Sequence, residues 1–424
     1  MAAQTLAQKL IARACHRDAV TVDEIVTCDV DLAMFHDSSG PRRLKPMLEK
    51  IGAPIWDKSR VVLVMDHYVP EEDDDSRRIL KIARDWAREQ QLPHVYDSIG
   101  ICHVVLPQQG HLRPGMFCVG GDSHSPTGGA FGAYMFGIGS TEMLGVVATG
   151  KIWVRTPSTM EMHWSGRLNE GVSAKDMMLH MIGLYGTNGA NYRAVEYTGE
   201  AVSALSMQER MTLSNMSAEL GAQVGLIAPD QVTVDYLQSI GVQEDVDLQH
   251  WKTDAQAARD THSFDAGSLG PMVAAPHRPD NVHAVDDMHG VAVQLAYIGA
   301  CTGAKLDDLR AAAQVLKGQR VAPGVRLMVA PASVRDQQQA QKEGVMDILV
   351  DAGAQVFATS CGACSGYGNA LAGASNVISS TARNFKGRMG SADTNVYLAS
   401  PYTVAASALA GRITDPRIIL TERA

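Results

Sequence analysis

RVVLVMDHYVPEEDD, residues 60–74, decides the fold class. Val61 to Val64 show no polar face, so the run reads as a strand buried on both sides. It stops at Asp66-His67, Pro70 turns the chain, and the acidic run Glu71 to Asp75 reads as a solvated loop or the start of a helix. The same order of apolar run, short polar or Gly-rich stretch and helix-like segment recurs through the chain, which is the pattern of an α/β protein. EIVTCDVDLAMFHDSSGP (24–41) ends at His36-Asp37, and MFCVGGDSHSPTGGAFGAYMFGIGS (116–140) delivers Asp122, Ser123 and His124. Near the C-terminus, VQLAYIGACTGAKLDDLRAAAQVL (293–316), AQVFATSCGACSGYG (354–368) and NVISSTARNFKGRMG (376–390) deliver Cys301, then Cys361 with Cys364, then Arg383 with Arg388. Ligands of open α/β sheets sit at strand carboxyl ends, beside helix N-termini that favour anions. Six strand ends therefore carry candidate functional residues.

The chain of 424 residues is too long for one compact core, and 46% hydrophobic residues is ordinary for a globular enzyme. The expected division is an α/β domain over 1–155, a second over 156–287 that ends in a Pro-rich linker, and a third over 288–424. The middle stretch shows alternating runs such as MEMHWSGRL (160–168), an acidic segment over 243–260 and the extended-looking GPMVAAPHRPDNVHAV (270–285). No apolar run approaches the ~20 residues that span a bilayer, and the N-terminus has no signal-peptide core, so a cytoplasmic protein is expected. The formal charge of −9 disfavours nucleic acid as a partner. Seven cysteines spread along the chain argue for reduced thiols. The Gly-rich segment 128–139 lacks the third glycine of a dinucleotide fingerprint.

Three of those cysteines, Cys301, Cys361 and Cys364, each follow an apolar run. A closed tetrahedral zinc or fully ligated cluster takes four protein ligands, so three thiolates suggest a metal centre with one position open to water or substrate. Taken alone, the Cys-x-x-Cys pair also fits a redox dithiol or half a zinc site. Cys15, Cys28, Cys102 and Cys118 lie in or beside apolar runs and read as structural. Asp beside His at two strand ends fits acid–base work, because the carboxylate fixes the ring's tautomer and raises its basicity. Arg383 and Arg388 read as carboxylate clamps through their planar forks.

Along essentially its whole length, the chain resembles the aconitase family, most closely the large subunits of its two-subunit isopropylmalate dehydratases and homoaconitases. The resemblance rests on HDSSGP (36–41), MDHYVP (65–70), GICHVVLPQQGHLRPG (100–115), GDSHSPTGGAFGAYMFGIGSTEM (121–143), NMSAELGA (215–222), IGACTGAKLDDLR (298–310), SCGACSG (360–366), RNFKGRMG (383–390) and YLASPYTVAASALAG (397–411), in family order. It implies three α/β/α domains around a cleft, with the swivelling fourth domain on a separate small subunit. It also implies a [4Fe–4S] cluster, one per chain, on Cys301, Cys361 and Cys364, with one iron free for substrate.

Asp66, His67, His103, Asp122 and His124 match the family's acid–base positions, and His36 and Ser123 its substrate contacts. The resemblance places Asn215 near the cluster and Glu219 at the leaving hydroxyl. The two are four apart and are expected to share a helix face. Arg383 and Arg388 would hold a di- or tricarboxylate. The implied reaction is dehydration or isomerisation of a substituted malate, by default 3-isopropylmalate. Dimethylmalate, citramalate, malate with maleate-type products, and homoaconitase substrates are the alternatives. A cluster-free structural subunit or an RNA-binding role is the non-enzymatic reading. The family's base is a serine of the fourth domain, so the chain alone should show negligible turnover. Gly303 and Ala382 stand where many members carry asparagine, which leaves the subfamily open.

Overall fold

A computed structural model describes residues 3–243, 245–367 and 373–421. Its framework is three larger sheets and one two-stranded antiparallel ribbon, Ile25–Asp29 with Lys151–Arg155, with helices packed between and around them, a mixed α/β architecture. The first sheet is five-stranded and wholly parallel, in the spatial order His94–Asp97, Val61–Met65, Leu32–His36, Phe117–Gly120, Tyr134–Gly137. The chain builds outward from Leu32–His36 in one direction, then returns to the other side at Phe117–Gly120. The order therefore reverses between these two strands, and a crevice opens at their carboxyl ends. Both Leu32–His36 and Val61–Met65 are buried at every residue, as strands covered on both faces must be.

The second sheet, also parallel, orders Val224–Leu226, Ala194–Thr198, Thr159–Ser165 and Asp260–Asp265. The third is seven-stranded, with a parallel core of Asn395–Ala399, Asn376–Ser379, Leu295–Ile298, Arg326–Val329 and Ala354–Val356. Its order reverses between Leu295–Ile298 and Asn376–Ser379, which gives a second crevice. The Pro-rich stretch near 270–285 forms an antiparallel ribbon, Met272–Ala274 with Val282–Ala284, on the edge of this sheet, so the third sheet takes in strands from before residue 288.

Side-chain alternation along the strands links the layers. Val62 and Val64 share one core with Ala296 and Ile298 of the third sheet, whereas Val61, Leu63 and Met65 face a second core with Trp86. Leu295 and Tyr297 face a third core, with Met162 and Met178. Backbone bonds from Ile101 N–H to Ala332 C=O (2.8 Å) and Val334 N–H to Ile99 C=O (2.9 Å) tie the first and third layers directly. The two crevices are thus held by one shared core.

Local signals account for the connections. Asp73 caps the helix Asp74–Glu89 in a reciprocal box with Ser76, so the acidic run is a helix start. The Gly-rich segment forms a 3₁₀ turn, Ser125–Phe131, pressed on the second layer. A Cβ on Gly129 would lie 1.8 Å from the Gly225 carbonyl oxygen, so only glycine permits the contact. Among the described residues no helix is long and apolar enough to cross a membrane.

Candidate active site

The strand Leu32–His36 delivers His36 and Asp37, and the adjoining strand Val61–Met65 delivers Asp66 and His67. Asp37 is fully buried and accepts the backbone N–H groups of His67 (3.1 Å) and Tyr68 (2.8 Å), with a longer contact from Asp66 (3.4 Å). It thereby holds the turn after the next strand. The Asp66 carboxylate, also fully buried, takes His67 Nδ1 at 2.7 Å on one oxygen and the Cys102 N–H at 2.7 Å on the other. Burial acts to lower the His67 imidazole, but the Asp66 charge and hydrogen bond outweigh it, and the ring is raised to about 9. His67 is therefore an imidazolium at neutral pH.

His36 stacks on His67 with ring centroids 3.8 Å apart. Its Nδ1 accepts the Ser38 and Ser39 N–H groups at 3.2 and 3.4 Å, which puts the proton of the neutral ring on Nε2. That nitrogen points toward Asp122 Oδ2 at 3.5 Å and lacks a hydrogen-bond partner. Asp122 lies beyond the strand Phe117–Gly120, across the switch point, and binds His103 Nε2 at 2.7 Å and the His124 N–H at 2.8 Å. Burial would raise the Asp122 carboxyl, yet the His103 hydrogen bond overcomes it and holds the group well below the usual carboxylate range. Burial lowers His103 despite Asp122, so this pair is a neutral imidazole donating to a carboxylate.

His124 Nε2 reaches Glu219 Oε1 at 3.1 Å, and the same oxygen accepts Arg383 Nε at 2.6 Å. Burial would raise Glu219, but Arg383 and His124 keep it ionised. Arg383 Nη1 donates to Ser123 Oγ at 2.9 Å, which joins the third layer's switch point to the first layer's. Glu219 corrects one expectation. The helix Met207–Met216 ends before it, and Ser217 to Leu220 run on in tight turns, so Asn215 and Glu219 do not share a helix face. Both are nonetheless buried, at 1% and 4% exposure, rather than displayed on a polar surface.

Asn215 Nδ2 donates to Cys301 Sγ at 3.2 Å and to Thr127 Oγ1 at 2.8 Å. Cys301 follows the strand Leu295–Ile298 and is buried, with its thiol pushed up to about 12 by desolvation and by Cys364. Cys361 and Cys364 sit on the loop and 3₁₀ turn after Ala354–Val356, and the Cys361 N–H donates to the Asp66 C=O at 2.9 Å. Their shared hydrogen bond raises Cys361 and lowers Cys364, and Arg388 further favours the Cys364 thiolate. Arg388 Nε is buried without a partner. Of the other cysteines, Cys28, Cys102 and Cys118 are buried and Cys15 is half-buried.

Four polar atoms here, His36 Nε2, Asn215 Oδ1, Glu219 Oε2 and Arg388 Nε, are buried and unpartnered. Natural proteins rarely leave such groups empty-handed, and their gathering at one place marks a site built for a ligand. The three thiols are not among the tight ligand groups whose donor atoms all lie within 4.8 Å of one another. Thiolates on a single tetrahedral ion would lie roughly 4 Å apart, given metal–sulfur bonds of about 2.3 Å. The amide N–H on the Cys301 sulfur is the kind of contact that a thiolate-bound metal centre receives from its surroundings. The other two groups, His36/Asp37/Asp66/His67 and His103/Asp122/His124, are compact enough for an ion but spend their carboxylates on the rings and backbone amides just described.

The model of the aconitase family (aconitate hydratase) matches residues 8–411. The chain belongs to the aconitase family. It is 43% identical over 418 residues to the 3-isopropylmalate dehydratase large subunit 1 of Methanopyrus kandleri, covering 98% of this chain and 99% of that protein. It is 41% identical over 420 residues to the corresponding Archaeoglobus fulgidus protein, covering 98% and 100%. A protein of Methanosarcina mazei named as a probable methanogen homoaconitase large subunit is 44% identical over 393 residues, covering 92% and 99%. The chain is thus a hydro-lyase of a family whose members generally carry a [4Fe–4S] cluster, and its relatives' names as large subunits imply a separate small subunit.

Asp37 was not singled out from the sequence, although it stands at a strand end beside His36. The signal was the same Asp–His adjacency that marks Asp66-His67. Gly303 acquires a reason. A Cβ there would lie 2.2 Å from Ser380 Cβ, so the Cys301 loop and the strand end at Ser380 pack too closely for asparagine. Ala382 is buried, at 1% exposure.

Proposed function

We propose that this chain is the large subunit of an iron–sulfur hydro-lyase that interconverts 3-isopropylmalate and 2-isopropylmalate through the dehydrated isopropylmaleate, a step of leucine biosynthesis. The observation that carries this reading is the meeting of two switch points. Acid–base pairs stand at one, three thiols and two arginines at the other, and unpartnered polar atoms lie between them.

Cys301, Cys361 and Cys364 hold one [4Fe–4S] cluster, which when bound supplies a Lewis acid for the substrate's hydroxyl and carboxylate. The chain's own groups do the rest. Arg383 and Arg388 fix the substrate carboxylates, and Glu219 keeps Arg383 extended toward Ser123. His67, charged through Asp66, offers the Nε2 proton to the departing hydroxyl. His103 orients Asp122 and His124 orients Glu219, so that both carboxylates stay ionised around the leaving group. His36 donates from Nε2 to substrate. Asn215 tunes the Cys301 sulfur through its N–H. The partner small subunit contributes the swivelling domain and the base that removes the carbon-bound proton, and the chain works in the cytoplasm as three lobes, with the third taking in the ribbon Met272–Ala274 and Val282–Ala284 ahead of residue 288.

A second reading, homoaconitase, is favoured by the 44% identity to a protein of that name. Co-expression with its small subunit, followed by anaerobic assay on 3-isopropylmalate, homocitrate, dimethylmalate, citramalate and malate, separates the two. Turnover highest on 3-isopropylmalate supports the first reading. Preference for homocitrate replaces it with the second, and robust turnover without any partner contradicts the two-subunit account.

A further inference from the structure

Lys175 is an anomaly that the reaction above does not use. It lies in the first turn of the helix Ala174–Tyr185, where the helix dipole disfavours positive charge, and it is 1% exposed. Its Nζ donates to Thr302 Oγ1 (3.2 Å), the Ser380 C=O (2.5 Å) and the Thr381 C=O (2.6 Å). All three acceptors are neutral, and among the described residues Lys175 makes no ion pair. Lys305, buried four residues after Cys301, offers the contrast. Its Nζ bonds the Cys301 C=O at 3.0 Å and has its own carboxylate, Asp308, at 2.7 Å.

An ammonium taken from water without an anion is costly, and three neutral acceptors offset only part of that cost. Three acceptors around Nζ call for the three N–H groups of an ammonium, so the geometry holds Lys175 in its charged form although burial acts against it. Its contacts say where an anion belongs. Thr302 follows Cys301 directly, Ser380 and Thr381 lead into Arg383, and Thr302 Oγ1 itself donates to the Ser380 C=O at 3.0 Å. The ammonium thus bridges the cysteine loop and the arginine loop from beneath.

We propose that Lys175 is a positioning residue whose buried positive charge is the counter-charge of the thiolate-bound cluster and whose three hydrogen bonds hold the Cys301 loop against the Arg383 loop. The inference rests on the cluster reading given above. A positive charge beside a redox centre favours its reduced form, so Lys175 raises the cluster's midpoint potential and slows its loss.

The test compares anaerobically reconstituted full-length wild type, Lys175→Gln and Thr302→Val by iron and sulfide content, electron paramagnetic resonance and dye-mediated redox titration. Gln keeps a donor without the charge, and Val removes one acceptor while the charge stays. The expected result is a more negative midpoint and several-fold faster cluster loss in Lys175→Gln, with both near wild type in Thr302→Val. A cluster-loaded Lys175→Gln with an unmoved potential overturns the proposal. Should Lys175→Gln retain no cluster, a loaded Thr302→Val supports the charge, whereas loss in both variants makes the residue mere scaffold and refutes it. Wild type without iron defeats the cluster reading itself, and the proposal with it.

Discussion

Replacing Asp66 by Asn tests the electrostatics of the acid at the heart of the site. Asp66 is fully buried and holds His67 Nδ1 at 2.7 Å while accepting the Cys102 N–H. Asn fits the same space. Its oxygen can remain on the Cys102 N–H, which turns the amide NH₂ toward His67 Nδ1 and forces the ring to accept there. Burial, the strongest influence on His67, then acts with only the Asp37 and Asp122 charges to oppose it. The ring should fall from about 9 to its ordinary 6.5 or below, a loss of about 3 kcal/mol of imidazolium stabilisation at 1.36 kcal/mol per unit. The assay is a pH titration of ring-labelled histidines by nuclear magnetic resonance, paired with turnover in the presence of the small subunit. Turnover at pH 7.5 should fall about 10²–10⁴-fold, the usual contribution of a positioned general acid. A His67 resonance that still titrates near 9 in Asp66→Asn, or a neutral His67 in the wild type at pH 7.5, would refute the reasoning.

Three further outcomes follow from the same geometry. Because the folded-state value of His67 lies above its ordinary one, its contribution of about 3 kcal/mol is present in full below pH 6.5 and lost as pH rises through about 9. Thermal melts of wild type should therefore lose stability over that window and those of Asp66→Asn should not, and parallel pH curves would contradict the assignment. Glu219→Gln leaves the half-buried Arg383 without its counter-charge and should cost about 3 kcal/mol or less in urea unfolding, because Arg383 keeps some solvent and Gln keeps an oxygen acceptor; unchanged stability would mean that the pair is not formed. Gly303→Asn must push Ser380 away and should cost ~1–3 kcal/mol, with lower iron content after reconstitution. Full stability and cluster occupancy in that variant would show that the loop has slack.

Much of this was legible because each layer repeats one pattern. Val61 to Val64 announced a doubly buried strand, and the structure extends it to Met65 with Asp66 and His67 at its end. The runs before His36, Asp122, Cys301 and Arg383 behave likewise, so strand-end reasoning picked out residues that the fold brings together. What escaped depends on tertiary packing. The four-residue spacing of Asn215 and Glu219 suggested one helix face, but the helix stops at Met216 and turns bring Glu219 to His124 and Arg383. Spacing cannot reveal where a helix ends when no glycine or proline punctuates it closely. Asp37 was not singled out, because its partners are backbone amides of the turn after the next strand, which come together only in the folded chain. Lys175, in an ordinary helix start, gave no sign that its ammonium is buried beneath the Cys301 loop.

The most direct test of the central claim is iron and labile sulfide content, with electron paramagnetic resonance, on anaerobically reconstituted wild type beside Cys361→Ala. The account predicts a near-stoichiometric cluster in wild type and little in the variant. Equal and negligible iron in both would contradict it and remove the Lewis acid on which the proposed dehydration depends.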